Sequence, residues 1–354
     1  MHLALVLALG CAHTGRAPNG EDDVPGALTD HFVLIGGTLT GGDVVDVEVR
    51  AGAIVALGPV DPTVDRVDVT GMWIAPAFID SHVHLAYLPA IQQMAAGGVA
   101  AGVDLAAPLA FMASDSGTFE IVHAGPMVTA VGGYPTQSWG SDGYGFEVDS
   151  PAEAIAAVDD LASRGAGLIK LPVTGPPVLD EASLQAAADR AHELGLKVAS
   201  HALLDSEAVI ARQAGVDVLA HTPTAPLEDS TVDLWASGAV ITTLSAFGGR
   251  DDTLDNLRRL REAGATVLYG TDFGNTRTAG IDGAEIALML QSGMDGEAIL
   301  ASATAVPAEY WGLDDLGAID VGSAASLLIL SSDPLVDPSV LASPEAVYIR
   351  GVRQ

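Results

Sequence analysis

Two histidines close an apolar run, Trp73-Ile74-Ala75-Pro76-Ala77-Phe78-Ile79-Asp80-Ser81-His82-Val83-His84. The run reads as a buried strand, and residues at i and i+2 project from one face of a strand. Two neutral imidazoles side by side are half of a metal site, because each can offer a ring lone pair to a divalent cation. For the bare pair, core histidines satisfied by backbone groups are the commoner outcome. Three later runs reverse that balance. His201 ends Leu196-Lys197-Val198-Ala199-Ser200-His201, His221 ends Val216-Asp217-Val218-Leu219-Ala220-His221, and Asp272 ends Ala265-Thr266-Val267-Leu268-Tyr269-Gly270-Thr271-Asp272. Each run is short and apolar, follows a helical stretch closing in Gly, and carries its ionisable group at the C-terminal end. A (β/α)8 barrel builds its site in that way.

The elements that must position these groups follow the same rhythm. Strands are expected near 75–83, 101–106, 125–131, 166–172, 196–201, 216–221, 239–244 and 266–271, with helical patterns such as Pro151-Ala152-Glu153-Ala154-Ile155 and Glu181-Ala182-Ser183-Leu184-Gln185 between them. Alternating strands and helices predict an α/β chain folded as a (β/α)8 TIM barrel over 73–314. Residues 30–72 and 315–354 instead alternate apolar and polar positions between Gly turns. Neither end holds enough strands for a stable sheet alone, so the two are expected to pair into a small β-sandwich.

At these residues the chain resembles the amidohydrolase superfamily, in particular the group related to imidazolonepropionase and the metal-dependent Xaa-Pro dipeptidases. The resemblance spans roughly residues 30 to 354 and rests on PAFIDSHVH, GLIKLPV, KVASHA, DVLAHT and VLYGTDFG in that order. It implies a metal-activated hydroxide attacking an amide-like carbon. His82 and His84 match the first pair of metal ligands, His201 and His221 the later histidines, and Asp272 the aspartate that ends strand eight.

Lys170 bears on the number of metals. It sits in Gly165-Ala166-Gly167-Leu168-Ile169-Lys170-Leu171-Pro172, and the only other lysine of the chain is Lys197. Positive charge is otherwise supplied as arginine, so a lysine inside an apolar strand asks for a reason. A buried lysine can lose its proton and react with carbon dioxide, which arginine cannot do. The resulting carbamate is an anionic oxygen ligand able to bridge two divalent ions, and in the family a lysine here is often carboxylated. The plainer alternative is a lysine that snorkels from the barrel mouth or pairs with an acid. The cofactor expected is two divalent metal ions, zinc first among them.

Substrate contacts are expected on the loops. The longest, residues 132–145, mixes aromatics with glycines and suits a lid, with Tyr134 as a contact. Arg250 and Arg277 follow strands seven and eight, where either could clamp a carboxylate or simply stay solvated. His123 and His192 read as surface or capping residues rather than ligands.

Lys and Arg number 15 against 46 Asp and Glu, a formal net charge of −31, which excludes nucleic acid and anionic membrane surfaces as ready partners. A small-molecule substrate is the expected partner, and self-association stays open. Residues 1–11 form an apolar run too short to cross a bilayer, ending in Ala8-Leu9-Gly10-Cys11. That ending resembles the lipobox of bacterial lipoproteins, although no Lys or Arg precedes it. Cys11 is the only cysteine, standing where lipidation would need one, with 12–29 as a tether. The cell envelope, with membrane contact through that lipid only, is the expected location.

The expected activity is hydrolysis of an amide or peptide-like C–N bond in a dipeptide, an N-acyl amino acid or a cyclic amide. Two other readings stand beside it. One is a mononuclear hydrolase of the deaminase or imidazolonepropionase type. Related deaminases carry a Glu shortly after the strand-five histidine, where Ala202-Leu203-Leu204-Asp205 offers none. The other is a non-catalytic envelope lipoprotein that keeps the barrel for binding.

Overall fold

A computed structural model describes residues 30–60 and 63–354. Cys11 and the segment 12–29 lie outside the described residues. Among the described residues, no helix is long and apolar enough to cross a membrane.

The two ends of the chain meet in one eight-stranded sheet. Its order runs Val352–Arg353, Ala346–Ile349, Leu327–Leu330, Trp73–Pro76, His31–Leu39, Val44–Arg50, Ala53–Leu57, with Asp65–Asp68 also paired to His31–Leu39. Alternation along these strands drives Phe32, Leu34, Val47, Val49, Ile54, Ile74, Leu327, Ile329 and Tyr348 into a shared core. The rings of Phe32 and Tyr348 stack there with centroids 5.3 Å apart. Trp73–Pro76 belongs to this sheet, and after Ala77 the chain enters the strand Phe78–Val83 that carries His82. The sheet therefore fixes where the first site strand begins. Arg350 ties it outward, pairing with Asp315 at 2.5 Å and with Glu120 at 2.6 Å.

The remaining strands are parallel and alternate with helices. Phe78–Val83, Val99–Asp104 and Glu120–His123 form one ladder. Leu168–Lys170, Lys197–Ser200, Val218–Leu219, Ala239–Ile241 and Thr266–Leu268 form another. The ladder is thus not continuous. Single bonds meet at its two gaps: Gly167 N–H donates to the His123 carbonyl (2.9 Å), and Ser81 and His84 N–H donate to Tyr269 and Phe273 carbonyls (2.9 and 2.7 Å). Helices start where capping chemistry allows. Ser150 precedes Pro151–Ser163 with proline in its first turn, and Asp180 accepts from Ser183 N–H at 2.8 Å to begin Glu181–Glu193.

The strand expected over 125–131 is present as Met127–Ala130, but it pairs with Gly145–Val148, and the preceding segment Glu120–His123, not expected as a strand, joins the first ladder in its place. Gly125, at φ +70°, and Pro126 lie between them; the turn and the missing amide donor end the first pairing and redirect the chain. His123 therefore ends a strand instead of preceding one. The expected strand 239–244 also stops early, at Ile241, because Thr243 turns to a φ of 42°.

Gly97 and Gly280 set a close approach beside the first ladder, since a Cβ on Gly97 would lie 2.5 Å from the Gly280 Cα. Gly97→Ala should cost about 1–3 kcal/mol of stability by overpacking. Chemical denaturation reads this directly, and an unchanged midpoint would show that the approach is not tight.

Candidate metal centre

His82 and His84 leave the strand Phe78–Val83 with their rings converging. Their Nε2 atoms stand 3.3 Å apart, and Asp272 Oδ1 lies 3.5 Å from the first and 3.2 Å from the second. All three residues are almost fully buried, with Asp272 only 5% exposed.

The ring protons are set from behind. His82 Nδ1 is 2.7 Å from the Ala220 carbonyl, and His84 Nδ1 is 3.4 Å from the Ala106 carbonyl. A carbonyl can only accept, so each Nδ1 carries the proton and each Nε2 presents a lone pair. Burial, followed by the charge of Lys170, holds the His82 imidazole well below its usual pKa and therefore neutral. Two ring nitrogens that present their lone pairs and a carboxylate oxygen thus face each other in a buried space. That donor set repels itself when alone and suits a divalent cation.

Backbone contacts hold this crowding in place. Asp80, two residues before His82, accepts from His82 N–H and Thr271 N–H (both 3.0 Å) and from the Thr271 hydroxyl (2.5 Å). One buried carboxylate therefore clamps the histidine strand to the loop that carries Asp272. Burial pushes its pKa up to about 7 despite those donors. Asp272 itself has a φ of 56°, and its Oδ1 accepts from Asn275 Nδ2 at 3.0 Å. Gly274 lets the loop lie on His84, since a Cβ there would stand 2.7 Å from the His84 Cβ. On the other flank Asp104 accepts from Leu85 N–H (3.0 Å) and Ala106 N–H (3.2 Å), which aims the carbonyl behind His84.

The other sequence candidates fall into two groups. His221 lies against His82 with ring centroids 4.5 Å apart, and His201 against His221 at 4.6 Å. Burial, then neighbouring Lys170, drives the His201 pKa down to about 3. Lys170 is fully buried, its Nζ has no hydrogen-bond partner, and burial lowers its pKa to about 7. The Tyr134 ring covers His201 at 4.8 Å; its hydroxyl accepts from Trp139 Nε1 at 2.9 Å, and burial raises its pKa to about 12. Arg250 and Arg277, by contrast, are exposed. Arg250 precedes the helix Asp251–Ala263 and lies 4.0 Å from the Asp252 carboxylate.

Sequence reasoning missed Asp80, Asp104, Thr243 and Trp139 as parts of this assembly. Asp80 shares strand parity with His82 and His84, and Asp104 ends an apolar run, so both left a signal. Trp139 adds the cover over His84, with centroids 4.9 Å apart. The first glutamate after His201 is Glu207, whose Oε2 accepts from Leu203 and Leu204 N–H at 2.7 and 3.0 Å; it caps its own helix.

Residues 73–353 match the model of the amidohydrolase family. The chain is 26% identical over 339 residues to an uncharacterized protein of Mycobacterium tuberculosis, covering 79% of this chain and 85% of that protein. It is 26% identical over 319 residues to an imidazolonepropionase of Streptomyces avermitilis, 76% of each chain. Among solved structures, a Xaa-Pro dipeptidase with bound methionine aligns at a TM-score of 0.78 and 22% identity, covering 92% of this chain and 99% of that one. That neighbour shares the fold.

The repulsive donor set makes a thermal test simple. Zinc at about 100 times its Kd should stabilise metal-stripped protein by about 2.7 kcal/mol, visible as a raised melting temperature. His84→Ala should lose most of the shift, and a parent protein that melts alike with and without zinc would remove the centre.

Proposed function

Because the chain belongs to the amidohydrolase family, we propose that it is a metal-dependent hydrolase that cleaves an amide or peptide-like C–N bond of a small substrate. The observation that carries this reading is the convergence of His82 Nε2, His84 Nε2 and Asp272 Oδ1, lone pairs that only a cation reconciles. His201, His221 and Lys170 complete the set, enough for two divalent ions, with zinc suited to the nitrogen-rich donors. When bound, such ions lower the pKa of a water and polarise a carbonyl.

Lys170 fits this set as a carbamate. Its neutral amine would form an N–C bond to carbon dioxide and release a proton, placing an anionic oxygen beside the histidines. A buried Nζ without a partner, with its pKa lowered to about 7, favours that chemistry over a solvated ammonium.

The chain's own groups would then move protons and orient the substrate. Asp272 takes the proton of the attacking water and passes it to the leaving amine. Tyr134 is protonated at neutral pH, and its oxygen already accepts from Trp139, so its own O–H is left to donate to the substrate carbonyl. Trp139 over His84 and Tyr134 over His201 keep bulk water from the reacting bond. Arg250 and Arg277, exposed on the loops beyond Ala239–Ile241 and Thr266–Leu268, are the cations available to a substrate carboxylate.

The two parallel ladders are read as one (β/α)8 barrel over 73–314, flanked by a β-sandwich of 30–72 and 315–354; single bonds at both gaps support this. The chain is placed in the cell envelope through a lipid on Cys11, on the strength of the lipobox-like Ala8-Leu9-Gly10-Cys11.

A turnover screen over dipeptides, N-acyl amino acids and cyclic amides tests the reaction class, and no turnover of any would leave a binding protein. With an active substrate in hand, Asp272→Asn should keep most of the metal and lose about 10²–10⁴ in kcat. Near-parental turnover at full loading would take Asp272 out of the mechanism. Elemental analysis should find about two metal equivalents in the parent and at least one fewer in Lys170→Ala; a parent that never exceeds one rules out the paired site. Fractionation of cells making Cys11→Ser should release the protein from the membrane, and a variant that stays bound contradicts the lipid anchor.

A further inference from the structure

His82 and His84 each turn Nδ1 toward a backbone carbonyl, which no side-chain substitution can remove. His221 is different: its Nδ1 lies 3.0 Å from the hydroxyl of Thr243. A hydroxyl can accept from that nitrogen or donate to it, and only the first leaves a lone pair on Nε2.

The hydroxyl is held in place at a visible cost. Thr243 is fully buried and takes a φ of 42°, a region that a β-branched residue enters at about 1–3 kcal/mol. Its N–H donates to the Gly270 carbonyl at 3.0 Å. The next two amides, Leu244 and Ser245, donate to separate oxygens of Glu285 at 2.8 and 2.7 Å. Glu285 is a fully buried acid on the helix Gly283–Gln291, and Asp282 at the head of that helix accepts from the Ser245 hydroxyl at 3.1 Å. A buried carboxylate is expensive unless hydrogen-bonded, and here its partners are the two backbone donors that follow Thr243 together with the Thr242 and Ser245 side chains. The helix thereby pins the turn that aims the threonine at His221.

We propose that Thr243 and Glu285 are positioning residues for the metal centre. Thr243 accepts the Nδ1 proton of His221 and keeps Nε2 free as a ligand, and Glu285 holds the strained turn that makes this geometry possible. The inference rests on the metal-centre reading above. Neither residue reaches the reacting atoms, and both act through His221.

The test titrates zinc into metal-stripped parent, Thr243→Gly, Thr243→Ser and Glu285→Gln, and records the melting temperature of each apoprotein. Glycine accepts the positive φ without strain, so Thr243→Gly removes the hydroxyl while easing the backbone. Its apoprotein should melt close to the parent, yet its zinc affinity should fall about 10–100-fold. Thr243→Ser should keep the parent's affinity. Glu285→Gln offers an amide NH2 to one of the two backbone donors and should bind zinc more weakly. Parental zinc affinity in Thr243→Gly overturns the proposal, and so does a loss of zinc by Thr243→Ser equal to that of Thr243→Gly. If Thr243→Gly does not fold, parental affinity in Glu285→Gln overturns it instead. A parent that takes up no zinc overturns the metal centre and this inference with it.

Discussion

Three electron-rich atoms packed within 3.5 Å of one another, with their protons turned away, are the constraint on which this molecule is organised. Left alone, such a cluster would push its strands apart or collect a proton. Burial works against the proton at His82, whose imidazole is driven toward the neutral form by the loss of solvent. The surrounding hydrogen bonds deny it the movement. Asp80 grips the backbone of both flanks, Asp104 aims the carbonyl behind one ring, and the Ala220 carbonyl meets the other. His82 and His84 are backed by main-chain carbonyls of neighbouring strands and loops, so their geometry and the strand packing cannot be varied separately.

The rest of the fold serves that arrangement at longer range. The mixed sheet fixes the entry of the first site strand, and the loop between Met127–Ala130 and Gly145–Val148 folds back over the centre. Trp139, Tyr134 and Phe247 border the histidines, and Tyr87 and Tyr144 pack against Trp139 behind them. In a chain with only 5% aromatic residues, that concentration gives the centre an uncharged wall beside its charged floor. Trp139 lies tilted against the His84 ring with centroids 4.9 Å apart, an apolar surface beside the polar cluster.

The sequence was most legible where one residue type had to break a pattern. His82, His84 and Asp272 stand out because ionisable groups end apolar strands, and the structure draws these three together. Lys170 stood out against a composition almost without lysine. The less legible parts depend on backbone conformation or on pairing across the fold. Gly125-Pro126 separates Glu120–His123, which joins the first ladder without having been expected as a strand, from Met127–Ala130, which pairs elsewhere. Thr243 reads as an ordinary β-branched strand residue until its φ is known. Glu285 lies in a helix, where a glutamate is normally solvated, and nothing local says that two amides from another element reach it. Arg250 and Arg277 rest on their places after strands seven and eight, and a place on a loop does not say which way a side chain turns.

The shared sheet also orders events in time. Ile74 pairs with Ile329, and Leu328 with Val347, so the strand that leads into His82 is anchored by residues made some 250 positions later. On the ribosome, the parallel strands can assemble with their helices while that anchor does not yet exist. The crowded centre would then be the last part of the nascent chain to settle, after translation has passed residue 349.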